Sequence, residues 1–230
     1  MPIALFLLMA ALSGCARDHY VMTNDGVQIA YEYKRVVPEK GTAVLLHGMG
    51  TSLEEWYDFS RYLNEHGWST LALDFRGHRL STYQGSRELD WKNFKDNDFL
   101  KMLEDIEAAL RVTPPSKNLW LIGSSMGADM AFLYAVRNPA VRGVVLLSPP
   151  GFRGDVGSEK AISAYGNRPF LIAASADDGI FLQTAEKMYQ SMQGPKKIIR
   201  YQKAGHASTM LEHEDKLKEE IITWLNQNTI

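Results

Sequence analysis

The fold is decided by the stretch Leu119-Trp120-Leu121-Ile122-Gly123-Ser124-Ser125-Met126-Gly127. Its first four residues form a short, wholly apolar run, as expected for a parallel strand that is buried on both faces. The next five match the pattern G-x-S-x-G, and a helical spacing of apolar residues follows over Ala128 to Arg137. The stretch therefore predicts a strand, a sharp turn and a helix, with Ser125 at the apex of the turn.

The two glycines of this pattern are needed because the turn at Ser125 is tightly packed. At a sharp turn with strained backbone, the residues on either side of Ser125 must lack the bulk of a Cβ atom. Such a turn would lift the Ser125 hydroxyl clear of the sheet and place the N–H of Met126 at a helix start, where the dipole favours negative charge. The alternative is a glycine and serine loop that merely caps the helix. Ser124 lies outside the central position, so we expect it only to pack or to bond the local backbone.

Strand-like and helix-like segments alternate over the rest of the chain. The strand-like runs are Ala43–Leu46, Leu71–Leu73, Leu119–Ile122, Val144–Leu147, Phe170–Ala174 and the more polar Lys197–Tyr201. The helix-like segments are Leu53–Glu65, Phe99–Arg111, Ala128–Arg137, Leu182–Met192 and Leu217–Leu225. This alternation predicts an α/β fold with a doubly wound, mostly parallel sheet.

The N-terminal part of the domain has a different pattern. Two strand-like runs, Tyr20–Thr23 and Val27–Val36, flank Asn24-Asp25-Gly26. Asp-Gly between two such runs is a hairpin signal, and the imperfect alternation of the second run is typical of a half-exposed antiparallel strand. We therefore predict an antiparallel hairpin at the leading edge of the sheet, within a single domain over residues 15–230.

Composition narrows the range of functions. The chain has 230 residues, of which 45% are hydrophobic and 23% are charged, as in a soluble domain with one large core. The net charge of −2 gives no basic field, so we expect no nucleic-acid partner. Cys15 is the only cysteine in the sequence, which excludes an internal disulfide.

Two later segments carry residues that suit acid–base chemistry. A serine hydroxyl is a weak nucleophile unless a base removes its proton, and His206 follows the last strand-like run within Lys203-Ala204-Gly205-His206. Two aspartates, Asp177 and Asp178, follow the run Phe170–Ala174, and only one of them can point at an imidazole. No H-E-x-x-H or similar ligand spacing appears, so we predict no metal site, and nothing implies a cofactor.

Taken together, these segments resemble the α/β-hydrolase family over nearly the whole chain. Five signatures occur in order, each after its own strand-like run: His47-Gly48, Asp74 to His78, the Ser125 turn, Asp178 and His206. The resemblance implies the α/β-hydrolase fold, with Ser125 as nucleophile and His206 as base, in the chain order serine, acid, histidine. Serine at the turn distinguishes the chain from haloalkane dehalogenases and epoxide hydrolases, which have aspartate there.

The resemblance also suggests the remaining site residues. In many family members the acid is the aspartate of a G-x-x-D pattern, which is followed by two residues and then a small apolar one. The stretch that begins at Ser175 matches this pattern only if Asp178 is the acid. Asp177 would then be a turn or N-cap residue, although it remains an alternative. The H-G-x segment implies that the N–H of Met49 forms an oxyanion hole with the N–H of Met126. The D-x-R-G-H segment, Asp74 to His78, is structural in the family.

The reaction class is open within the family. We expect a hydrolase of carboxylic esters acting on a small-molecule or lipid-like acyl substrate, but a thioesterase, acyltransferase or peptidase would use the same triad. A lipoprotein that only binds a ligand is an alternative of a different class. Only Pro149 to Arg168 separates two strand-like runs where many relatives carry a helical cap, so we predict at most a short lid. Oligomeric state is not readable from the sequence.

The N-terminus predicts a membrane anchor. Residues Pro2 to Leu12 form an uncharged apolar run, shorter than a membrane span and of the length of a signal-peptide core. The run ends in Leu12-Ser13-Gly14-Cys15, which resembles the lipobox of bacterial lipoproteins. The resemblance implies a signal peptide over residues 1–14, a lipid on Cys15 and a membrane-anchored protein in the bacterial cell envelope. Alternatives are an N-terminal core helix or a mis-assigned start, because no Lys or Arg follows Met1 in this segment.

Overall fold

The computed structural model describes residues 19–151 and 155–230. The strands are β1 (His19–Met22), β2 (Gln28–Lys34), β3 (Gly41–Leu46), β4 (Trp68–Leu73), β5 (Tyr83–Gln84), β6 (Arg87–Glu88), β7 (Leu119–Ser124), β8 (Val141–Leu147), β9 (Phe170–Ser175) and β10 (Lys196–Tyr201). The helices are α1 (Tyr57–Glu65), α2 (Asp96–Leu100), α3 (Met102–Leu110), α4 (Met126–Arg137), α5 (Glu159–Tyr165), α6 (Ile180–Ser191), α7 (Met210–His213) and α8 (Asp215–Gln227).

Eight of these strands form one twisted sheet in the order β1-β2-β4-β3-β7-β8-β9-β10. The strands from β4 to β10 in this order run parallel, whereas β1 pairs with β2 and β2 pairs with β4 in antiparallel register. The predicted α/β-hydrolase fold, with an antiparallel hairpin at the edge of a mostly parallel sheet, is therefore confirmed.

The apolar strands are explained by burial on both faces. In β3, Val44 and Leu46 join a core formed with α3 to α6, whereas Ala43 and Leu45 join a second core formed with α1 and α8. A strand covered on both sides has no solvent face, so its sequence shows no alternation. Because β3, β7, β8 and β9 are parallel, the residues after them meet at one edge of the sheet.

The segment between β8 and β9 does not contain a cap domain in its described part. Its helix α5 buries Ala161, Ile162 and Tyr165, and the Tyr165 ring stacks on Phe132 of α4 with ring centroids 5.4 Å apart. The helix is thus a part of the layer that covers the sheet. Residues 152–154 of this segment lie outside the described residues.

Arg76 of the D-x-R-G-H segment joins three distant parts of the fold. Its buried guanidinium donates to the buried carboxylate of Asp105 in α3, with Nε 2.8 Å from Oδ1, and to Asp25 in the turn between β1 and β2, with Nη1 2.7 Å from Oδ2. The backbone N–H of Arg76 also donates to Asp105. These contacts agree with the structural role that the family resemblance implies.

Some elements differ from the prediction. The predicted helix over Phe99–Arg111 is divided into α2 and α3 at Lys101, and the small β5–β6 hairpin was not predicted because its residues are polar. Strand β4 begins at Trp68, before the apolar run, because its buried Ser69 and Thr70 hydroxyls are satisfied by Glu39 and Asn64. The predicted signal peptide and Cys15 lie outside the described residues. Within them, no helix is both long and apolar enough to cross a membrane.

Candidate active site

The predicted turn at Ser125 is present between β7 and α4. Ser125 has φ 49° and ψ −115°, a backbone conformation that a residue with a side chain rarely adopts. Its N–H donates to the carbonyl of Leu147 at the end of β8, 2.9 Å away, which fixes the turn against the sheet. Helix α4 begins at Met126, immediately after the serine.

The glycines around Ser125 allow close backbone contact, as their positions in the sequence predict. A Cβ atom on Gly127 would lie 2.1 Å from the carbonyl oxygen of Leu46, and one on Gly123 would lie 2.3 Å from the carbonyl oxygen of Gly127. Neither position can hold a larger residue without moving backbone. The carbonyl of Leu46 ends β3, so Gly127 brings the start of α4 against the loop that carries Met49.

His206 and Asp178 lie in contact at the carboxyl edge of the sheet. Both carboxylate oxygens of Asp178 are 2.8 Å from Nδ1 of His206. The carboxylate is nearly buried, with its side chain 8% exposed, whereas the imidazole is 41% exposed. Since a carboxylate only accepts, Nδ1 carries the proton, and Nε2 of the neutral ring keeps a lone pair that can take a proton.

Asp177 makes different contacts from its neighbour. Its carboxylate accepts hydrogen bonds from the Ser175 hydroxyl and from the N–H of Gly205, the latter at 3.3 Å. The hydrogen bond from Ser175 lowers the pKa of Asp177. Asp177 therefore stabilises the loop that carries His206, and Asp178 is the aspartate that bonds the imidazole.

Several residues that were not predicted from the sequence hold His206 in place. The Phe181 ring packs against the imidazole, with ring centroids 4.4 Å apart. The Ser148 hydroxyl accepts from the N–H of Ala207 at 3.0 Å, and the Thr209 hydroxyl donates to the His206 carbonyl at 2.7 Å. Ser148 directly follows a strand-like run, as the other site residues do, and that position is the signal that could have identified it.

We name residues His47–Thr51, which follow β3, the oxyanion loop, after the role predicted for the Met49 N–H. Its first residue, His47, is fully buried, and burial lowers the pKa of its imidazole to about 3, so the ring is neutral. The Nε2 atom accepts from the N–H of Phe75 at 2.9 Å, which leaves the proton on Nδ1, 2.7 Å from the carbonyl oxygen of Gly48. His47 therefore donates to the Gly48 carbonyl.

This hydrogen bond fixes the direction of the Met49 N–H. In a planar trans peptide the carbonyl of one residue and the N–H of the next point in opposite directions, so holding the Gly48 carbonyl also aims the Met49 N–H. Among residues 19–151 and 155–230, no acceptor bonds that N–H. The N–H of Met126 lies in the first turn of α4, where no intrahelical acceptor exists. The two predicted donors are thus both available to a ligand.

Ser125 and His206 are not joined directly. The part of the chain that the structure describes contains no hydrogen bond between the Ser125 hydroxyl and the His206 ring, although both follow parallel strands at the same sheet edge. In the same described residues, no group of three or more His, Cys, Asp or Glu side chains is arranged to hold a metal ion.

The fold and this site define the class to which the chain belongs. A family model described as the alpha/beta hydrolase fold matches residues 43–162, which is more than half of the sequence. The chain belongs to the alpha/beta hydrolase fold family. No curated protein matches the sequence significantly.

Solved structures of several hydrolases have a similar fold. The esterase Pf2001 of Pyrococcus furiosus superposes with a TM-score of 0.74 at 19% identity, over 93% of each chain. A dienelactone hydrolase from Anabaena variabilis has a TM-score of 0.72 at 17% identity, over 93% of this chain and 97% of its own. Est1E from Butyrivibrio proteoclasticus, solved with ferulic acid bound, has a TM-score of 0.71 at 15% identity, over 91% and 98%. At these identities the similarity establishes the fold alone.

Proposed function

We propose that this protein is a serine hydrolase that cleaves carboxylic esters through a triad of Ser125, His206 and Asp178. The observation that carries the proposal is the contact between the Asp178 carboxylate and Nδ1 of His206, at 2.8 Å. A protein that only binds a ligand has no need of an exposed imidazole held in one tautomer by a nearly buried carboxylate. The solved esterases of similar fold add support for ester cleavage.

The proposed reaction proceeds through an acyl-enzyme. Ser125 Oγ attacks the ester carbonyl carbon while Nε2 of His206 takes the hydroxyl proton, and the carbonyl π electrons move to oxygen. The tetrahedral intermediate collapses, the ester C–O bond breaks, and the imidazolium gives its proton to the departing alkoxide. Water then repeats these steps on the acyl-enzyme and releases the carboxylic acid. Asp178 stabilises the imidazolium in both halves without being protonated.

The oxyanion would be held by the N–H groups of Met49 and Met126. Each such donor contributes about 10²–10³ in rate in a well-studied serine hydrolase. The donor of Met126 also lies at the positive end of α4, which favours developing negative charge. The direction of the Met49 donor depends on the hydrogen bond from His47 to the Gly48 carbonyl.

The open surroundings of His206 favour esters with accessible carbonyls. The imidazole is 41% exposed, and the apolar residues Met49 and Ile180 are 39% and 69% exposed. Because Met49 belongs to the oxyanion loop and Ile180 follows Asp178 by two residues, these exposed apolar residues suit a small or lipid-like acyl group. The same triad would serve a thioesterase, acyltransferase or peptidase, and the described residues contain no feature that favours one of these over an esterase.

Labelling with a fluorophosphonate probe tests the proposal. The wild-type protein is expected to react covalently and to hydrolyse short p-nitrophenyl esters, and Ser125→Ala is expected to lose both properties while keeping its circular dichroism spectrum. Ser124→Ala is a matched control for covalent labelling, because it removes a neighbouring hydroxyl that is not the proposed nucleophile and leaves Ser125 in place. Unchanged hydrolysis by Ser125→Ala would disprove the mechanism, and labelling without ester hydrolysis would redirect the search to thioesters and amides.

We further propose that the mature protein begins at Cys15 and is anchored in the bacterial envelope by lipid on that residue. The support is the sequence alone: an apolar run over Pro2 to Leu12 that ends in Leu-Ser-Gly-Cys. Several acyl chains on one residue anchor a protein stably, whereas a single chain is marginal. An anchor so close to β1 would hold the catalytic domain near a membrane surface, with access to amphipathic esters.

A further inference from the structure

Glu55 places its carboxyl group against the oxyanion loop. The residue comes from the 3-10 turn Leu53–Trp56 that precedes α1. Its Oε1 accepts from the N–H of Gly48 at 3.2 Å, and its Oε2 lies 2.6 Å from the Thr51 hydroxyl. The Ser124 hydroxyl, beside the proposed nucleophile, interacts with the same carboxyl group. Glu55 therefore contacts both ends of the loop that presents the Met49 N–H.

The hydroxyl of Thr51 lies between two acceptors. It is 2.9 Å from the carbonyl oxygen of Gly48 and 2.6 Å from Oε2 of Glu55, and it has one hydrogen to donate. When Glu55 is ionised, the carboxylate takes that hydrogen because a charged acceptor forms the stronger bond. When Glu55 is protonated, its own O–H donates to Thr51, and Thr51 donates to the Gly48 carbonyl.

These two arrangements act differently on the oxyanion hole. With Glu55 neutral, the Gly48 carbonyl accepts from both His47 and Thr51, and chains of hydrogen bonds polarise one another. Polarising that peptide strengthens the Met49 N–H as a donor, because both groups belong to one peptide unit. With Glu55 ionised, the Thr51 hydroxyl donates to the carboxylate and no longer to the Gly48 carbonyl. The carboxylate also adds a negative charge beside the loop whose N–H would bind the oxyanion.

We propose that Glu55 is a positioning residue of the oxyanion hole, that it acts through Thr51 and the Gly48 carbonyl, and that its neutral form supports the transition state. This inference rests on the proposed serine hydrolase function. It predicts that ester hydrolysis weakens as Glu55 ionises, and that the loss falls on kcat, because the oxyanion exists in the transition state and not in the bound ester.

The surroundings of Glu55 place this ionisation near neutral pH. Burial raises the pKa of the Glu55 carboxyl to about 7, against smaller lowering effects of the hydrogen bonds from Thr51 and Gly48. The charged groups around it are Glu54 on its own 3-10 turn, Asp58 at the start of α1, and Glu212 and Lys218 across a groove shared with α7 and α8. No salt bridge in the described part of the chain reaches Glu55, and His47 in the oxyanion loop is neutral.

The test compares kcat against pH, from pH 5.5 to 9, for wild type, Glu55→Gln and Glu54→Gln with a p-nitrophenyl ester. Glutamine copies the protonated carboxyl: its Oε1 accepts from Gly48 and its amide donates to Thr51. The wild-type kcat is expected to fall as Glu55 ionises, whereas Glu55→Gln keeps its alkaline activity. The ratio of the Glu55→Gln kcat to the wild-type kcat should rise about tenfold between pH 6 and 9. This change is smaller than the contribution of about 10²–10³ in rate that a direct oxyanion donor makes.

Controls separate this inference from a merely structural role and from the proposed function. Glu54 is exposed and pairs with Arg79, so Glu54→Gln is expected to keep the wild-type profile. If the ratio of the Glu55→Gln kcat to the wild-type kcat does not change with pH, the inference about Glu55 is overturned. The proposed function still stands in that case, provided that hydrolysis depends on Ser125. If hydrolysis does not depend on Ser125, both proposals fail. If Glu55→Gln does not fold, variants of Thr51 provide the test. Thr51→Val should lower kcat because it removes the hydroxyl, whereas Thr51→Ser keeps the hydroxyl and should have a kcat near that of wild type. Equal kcat values for these two variants would overturn the inference.

Discussion

Both carboxylate oxygens of Asp178 lie 2.8 Å from Nδ1 of His206, so one carboxylate holds the imidazole through either of its atoms. Asp177, the next residue along the chain, is directed toward the N–H of Gly205 instead. The two aspartates belong to one 3-10 turn, Ala176–Asp178, in which successive side chains point to different sides. Their chemistry is therefore separable by mutation, although they are adjacent in sequence.

Asp178→Asn is expected to lower kcat by about 10³–10⁴, because an amide in place of the carboxylate favours the wrong tautomer of His206 and cannot stabilise the imidazolium. Asp177→Asn is the matched control and should keep kcat within about tenfold, since its contacts are to Ser175 and the loop backbone. Steady-state hydrolysis of a p-nitrophenyl ester by the two variants measures both effects. The opposite ranking would assign the acid to Asp177.

Gly127→Ala tests the close contact between the serine turn and the oxyanion loop. The added Cβ would lie 2.1 Å from the Leu46 carbonyl oxygen and 2.6 Å from that of His47, so backbone must move. We expect a loss of about 3 kcal/mol or more in the free energy of unfolding in urea, at the upper end of overpacking effects. Gly85→Ala is the control: nothing lies within 4 Å of its Cβ, and only its positive φ of 59° costs about 1–2 kcal/mol. Equal losses in the two variants would show that the contact can relax.

Most of the fold could be predicted because it depends on local patterns. Each parallel strand is a short apolar run, and Gly123 is required by a backbone contact within the Ser125 turn, whereas Gly127 is required by a contact with the end of β3. The order of the signatures then placed Ser125, Asp178 and His206 after strands of one parallel sheet. What was missed, the β5–β6 hairpin, consists of two-residue strands with polar sequence, too short to show a period.

The contacts that shape the site were harder to predict because they join residues that are distant in sequence or ambiguous in pattern. In the sequence, Glu54 and Glu55 are typical of the solvent-facing start of an amphipathic helix. Only the tertiary fold brings the Glu55 carboxyl group to the N–H of Gly48. Arg76 and Asp105 form a buried ion pair 29 residues apart. Only the family pattern favours Asp178 over Asp177, because the residues themselves suit either role. Side-chain direction, and not element type, is what the sequence leaves open here.

Lipidation of Cys15 is testable without the rest of the proposal. The full-length protein, expressed in a bacterial host with labelled palmitate, is expected to carry label and to be found in the membrane fraction. Cys15→Ala should lose both, because the thioether to diacylglycerol requires the thiol and the apolar run is too short to span a bilayer. Equal labelling of the two proteins, or wild type wholly in the soluble fraction, would contradict the lipoprotein signal.

Stability measured against pH gives a readout of Glu55 that does not depend on activity. Burial raises the pKa of Glu55 from 4.5 to about 7 in the folded protein. The unfolded chain therefore loses this proton at lower pH than the folded one, so the wild type loses stability as pH rises from about 4.5 to about 7. Glu55→Gln cannot ionise, and its advantage over wild type in the free energy of unfolding should grow by about 1–3 kcal/mol across this interval. Glu54→Gln should show no such trend. If the difference in the free energy of unfolding between wild type and Glu55→Gln stays constant with pH, Glu55 ionises in the folded protein as it does in the unfolded chain, and the prediction is wrong.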